Sequence, residues 1–78
     1  MEENLKNLVI NDYLNMPSIK LVLIQVRDLE AILKPNENDI SLRHCVNHRY
    51  VVKQENRYKI TAYGIEALGV IEGYNKTR

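Results

Sequence analysis

Residues 39–68, DISLRHCVNHRYVVKQENRYKITAYGIEAL, constrain this chain most, because the hydrophobic period changes twice within them. Residues 39–48 read as a short helix. On a wheel of about 100° per residue, Leu42, Cys45, Val46 and the stem of Arg49 fall on one side. Ile40, Arg43, His44, Asn47 and His48 fall on the other. Residues 50–54 and 57–60 then alternate as two strands, with Glu55-Asn56 as a two-residue connection in which Asn tolerates a positive φ. This spacing predicts a hairpin over 50–60 with Tyr50, Val52, Tyr58 and Ile60 facing inward and Lys53, Arg57 and Lys59 facing outward. Thr61 can cap a last helix over 62–74, to which Ile65, Leu68, Val70 and Ile71 bring apolar contacts. Gly64 and Gly69 in that helix would let a neighbouring helix approach closely.

Ahead of this stretch, Leu5, Leu8, Val9, Asp12 and Tyr13 recur at helical spacing and predict a helix over 3–14. Pro17 ends it, and Pro17 or Ser18 suits the start of the next helix. Ile19, Val22, Val26, Leu29 and Leu33 predict that second helix over 18–33. Leu23 and Ile32 widen its apolar stripe, so it is expected at the centre with partners on two sides. Pro35 stops it, and Asn38 or Asp39 can cap the following helix. The fold class expected is mostly α with a small β-hairpin, in one domain spanning residues 1–78.

The run CVNHRYVVKQENRYKITAYGIEAL resembles the second half of a winged helix-turn-helix domain of the MarR/PadR kind. The segment Tyr58-Lys59-Ile60-Thr61-Ala62-Tyr63-Gly64-Ile65-Glu66-Ala67-Leu68 keeps the family's Tyr, Thr, Gly and Leu spacing at the end of the wing. The corner before the wing departs from the pattern: Arg49 stands where Gly is usual and Val46 where Leu is usual. The resemblance covers about 30 residues. It implies a three-helix core, a two-stranded wing and a C-terminal helix, and it implies double-stranded DNA as the partner of a small transcriptional regulator.

Charge distribution agrees with that implication better than total charge does. The 78 residues carry a net charge of only +1. Residues 1–42 hold four basic against seven acidic side chains, a net of −3, whereas residues 43–78 hold seven against three, a net of +4. A split of this size can also arise by chance in a short chain. With no Trp and no Phe, aliphatic residues and the five Tyr must form the core. A core so small favours a homodimer, with the first and last helices as the shared surface. The single Cys45 provides no intrachain disulfide and fits a reducing compartment. No leader and no apolar run of about 18 residues stands in the sequence, so a cytoplasmic protein without a membrane span is expected.

Arg43, His44 and Asn47 are the residues expected at base edges, because Arg can donate two hydrogen bonds to guanine and Asn can pair with adenine. His48 shares their face. Ser41 could hold a phosphate at the helix start. Lys53, Gln54, Asn56, Arg57 and Lys59 would grip the backbone from the hairpin. Each group has a plain alternative: Arg, His and Asn are common on solvated helix faces, and edge-strand Lys blocks aggregation between sheets. His44 and His48, four apart on a helix, could chelate a metal. Cys45 points about 100° away from His44, however, and no further ligand cluster stands out, so neither a metal nor another cofactor is expected. Without a phosphate-cradling Gly-rich loop, a nucleophile motif or paired carboxylates, enzyme activity is not expected. The competing function is a winged helix that grips a protein and leaves DNA alone, as a small viral or mobile-element protein that binds a host protein would. The low net charge and the apolar Ile40 on the proposed reading face favour it.

Overall fold

In the computed structural model, which describes residues 1–29, 39–55 and 57–77, two helices precede a helix–hairpin–helix unit. The elements in order are α1 (Glu3–Asn15), α2 (Ser18–Leu29), α3 (Ile40–Asn47), β1 (Val51–Gln54), β2 (Arg57–Ile60) and α4 (Ala62–Lys76). The chain is therefore mostly helical, with one two-stranded antiparallel sheet. The expected helix positions 30–33 and the turn at 34–38 lie outside the described residues, as does Asn56. No described helix is long and apolar enough to cross a membrane.

Local chemistry fixes several boundaries. The Asp39 carboxylate accepts hydrogen bonds from the Ser41 and Leu42 amides, at 2.8 and 3.3 Å, and so caps α3. Thr61 caps α4 by accepting from the Gly64 amide at 2.9 Å. α3 ends in a Schellman arrangement, in which the Tyr50 amide donates to the Cys45 carbonyl and the Arg49 amide to the Val46 carbonyl. Arg49 takes a left-handed φ of 65° there, at the position where the resemblance called for Gly. Glu55, the first residue of the hairpin connection, has a φ of 55°.

The left-handed step at Arg49 also corrects the expected facing of the hairpin. It delivers Tyr50 and Val51 into the core side by side. Val51 pairs with Ile60 and Lys53 with Tyr58, so these four share one face of the sheet. Val52, expected inside, is 39% exposed and shares the outer face with Gln54, Arg57 and Lys59. Lys53 lies on the inner-facing side, with its ammonium 5.8 Å from the centre of the Tyr58 ring.

α2 sits centrally, touching α1, α3, α4 and β2. Its Ile19, Val22, Leu23 and Val26 join Val9, Leu42, Cys45, Tyr50, Val51, Tyr58, Ala67, Leu68 and Ile71 in the core. Ile65 departs from the expected set, since it points outward and is 54% exposed. The close neighbour of Gly64 is not a helix. A Cβ there would lie 2.0 Å from the Tyr50 carbonyl oxygen, so the glycine lets α4 start directly beneath the hairpin. Gly69 faces open space.

Candidate nucleic-acid interface

α3 divides into three sectors. Leu42 and Cys45 are buried in the core, with Val46 at its edge. Ile40, Arg43 and Asn47 face solvent. His44, which helical spacing groups with these exposed residues, turns instead toward α1, and its Nε2 lies 2.6 Å from Asp12 Oδ1. The Asp12 carboxylate is half-buried: its other oxygen accepts the Tyr50 hydroxyl at 2.8 Å, leaving one oxygen to be satisfied from α3. Ser41 is also engaged, through a hydroxyl–hydroxyl hydrogen bond with Ser18 at the start of α2.

The polar cluster continues as a ladder of rings. His44 stacks on His48 with centroids 4.0 Å apart, His48 lies 6.0 Å from Tyr50, and Tyr50 lies 5.3 Å from Tyr63. Burial, then the hydrogen bond to Asp12, holds the Tyr50 hydroxyl far above its ordinary range. Burial pushes the Cys45 thiol up to about 12, with the Asp12 and Asp39 charges adding to it, so Cys45 is a protonated core residue at neutral pH.

The other basic residues expected at the interface fall in two places. Arg43 and Asn47 line one cleft together with Lys53 and Tyr58 of the hairpin and Leu42 and Val46 of α3. On the other side of the hairpin, Arg57 and Lys59 line a groove with Arg27 of α2, Val26 and Ile60. Gln54 lies at the hairpin end beside Glu55, Arg57 and Lys59. Arg27 makes an exposed ion pair with Asp28 at 2.8 Å and reaches Glu72 of α4 at 3.6 Å. The hydrogen bond between Arg27 and Asp28 holds the Arg27 pKa above and the Asp28 pKa below their ordinary values.

Of the residues expected at an interface, then, Arg43, Asn47 and Lys53 come together and Arg57 and Lys59 form a second group. Ser41 and His44 are tied to other helices, and exposed His48 stacks on His44. Arg27 and Asp12 were not among the expected residues. Asp12 left a signal, since it is a carboxylate on the apolar stripe of α1 and such a group needs a buried partner. Comparison with family models, curated proteins and solved structures finds no match to this chain.

Proposed function

We propose that this protein is a winged helix-turn-helix domain that binds double-stranded DNA, with α3 directed at the major groove and the β1–β2 hairpin acting as the wing. The observation that carries the reading is the cleft shared by Arg43, Asn47 and Lys53. It joins two side chains suited to base edges with a cation suited to a phosphate, on a helix narrow enough for the groove. Arg57 and Lys59 add a second positive group on the other face of the hairpin. Ser41 and His44 drop out of the contact set on this reading, because Ser18 and Asp12 already occupy them. A homodimer acting as a small transcriptional regulator would use exposed Leu8 of α1 and Ile65 of α4 as the surface between copies, and would place two half-sites about one helical turn apart.

Fluorescence-anisotropy titration against random duplex DNA tests the reading. If Lys53, Arg57 and Lys59 each neutralise one phosphate, the slope of log K against log salt is about −2.7 per protomer. Affinity then falls about 40-fold between roughly 50 and 200 mM salt. Absence of binding at the lower salt contradicts the proposal. One observation favours a second reading, a protein-binding surface: Ile40, at the start of the outward face of α3, is 70% exposed. On that reading α3 anchors in a partner's apolar pocket, and binding changes little with salt.

A further inference from the structure

Asp12, His44 and His48 bring three potential metal-ligand atoms within 4.8 Å of one another, from two helices. The geometry points to a binding site for a divalent transition ion of the zinc class, bridging α1 and α3. Four observations support it. His44 and His48 are one helical turn apart, the spacing at which two imidazoles of one helix can reach a single ion. Asp12 supplies the third donor, which the sequence did not disclose because it stands 32 residues from His44. Its Oδ2 accepts the Tyr50 hydroxyl, leaving Oδ1 directed at His44, so an outer-shell group already orients the carboxylate. His48 is exposed, so its ring can leave the stack on His44 and bring a nitrogen to the ion without disturbing the core.

Two imidazoles and one carboxylate are a donor set that zinc accepts, with water in the fourth position. The Oδ1–Nε2 distance of 2.6 Å is shorter than two ligands of one tetrahedral ion leave between them, about 3.3 Å for bonds near 2.0–2.1 Å. Binding therefore replaces the hydrogen bond between Asp12 and His44 with two metal bonds and opens the pair by under about 1 Å. Each imidazole binds the ion through the lone pair of one ring nitrogen. Cys45 takes no part, because its side chain is buried in the core, away from Asp12, His44 and His48.

The test is isothermal titration of metal-stripped, tag-free protein with Zn²⁺, alongside the His48→Gln variant, which alters an exposed side chain. The expected result is one Zn²⁺ per chain. His48→Gln should keep the wild-type far-UV spectrum and Tm without metal while its Zn²⁺ affinity falls at least 10-fold. Tyr50→Phe should weaken binding about 10-fold by freeing the carboxylate. Zn²⁺ should also raise the wild-type Tm by more than that of His48→Gln at the same Zn²⁺ concentration. No Zn²⁺ uptake by the wild type, or equal affinity in wild type and His48→Gln, would overturn the assignment.

Discussion

Replacing Gly64 with Ala tests the junction between α4 and the hairpin most sharply. The new Cβ would lie 2.0 Å from the Tyr50 carbonyl oxygen and 2.8 Å from Ile60 Cγ1. The Ile60 side chain can rotate away, but the carbonyl cannot move freely. It accepts the Thr61 amide at 3.0 Å and, at 3.1 Å, shares the Thr61 hydroxyl proton with the nearer Arg49 carbonyl at 2.7 Å, and that hydroxyl oxygen also caps α4. Opening the contact to an ordinary separation needs a shift of at least about 1 Å, with overpacking costs of about 1–3 kcal/mol. Two weakened hydrogen bonds add about 1–3 kcal/mol, and the better helix propensity of Ala returns about 1 kcal/mol. The net loss is about 1–5 kcal/mol, a Tm drop of roughly 4–40 °C for a domain of this size. Gly69→Ala is the internal control. It lies in the same helix with nothing within 4 Å of its would-be Cβ, so it should gain about 0.5–1 kcal/mol. Thermal melts followed by circular dichroism, with urea titrations alongside, read both. A Gly64→Ala protein melting within a few degrees of wild type would refute the close approach, and a destabilised Gly69→Ala protein would refute the open space above α4.

Three further outcomes follow from the same geometry. Arg49→Gly should stabilise the fold by about 0.5–1 kcal/mol, because it removes a left-handed residue with a Cβ at the end of α3; an unchanged or lower urea midpoint would contradict this. Asp12→Ala should cost about 2–3 kcal/mol by leaving the Tyr50 hydroxyl and His44 without their shared acceptor, so a urea midpoint equal to wild type would remove the network from the account. Raising the pH should destabilise the protein. The folded Cys45 pKa stands above the ordinary 9.0, at about 12, so its contribution is complete below pH 9 and is lost as pH rises toward 12. Tyr50, also raised, adds a loss above pH 10. Tm should fall across that window, more shallowly in Cys45→Ala, and a flat profile would refute the burial of both groups.

What was legible in the sequence was mostly local. The start of α2 at Ser18 and the caps of α3 and α4 depend on residues within a few positions of one another; Asp39, one of the two residues offered for the first cap, and Thr61 take those places. The central place of α2 followed from an apolar stripe too wide for one partner. The facing of the hairpin did not follow, because alternation fixes only the period. The phase was set by the backbone at Arg49, whose left-handed turn buried two consecutive residues. His44 was misplaced for a related reason: a helical wheel gives its angle but cannot say that α1 brings a carboxylate to that side. Gly64 likewise owes its role to a carbonyl 14 residues earlier, which helical propensity does not encode.

The most direct test of the DNA-binding account is a titration of the isotope-labelled protein with a short duplex, followed by amide and side-chain NMR shifts. Perturbations should concentrate at Arg43, Asn47 and Lys53, extend to Gln54, Arg57 and Lys59, and fade as salt is raised. Shifts confined to α1 and α4, or no shifts at low salt, would contradict it.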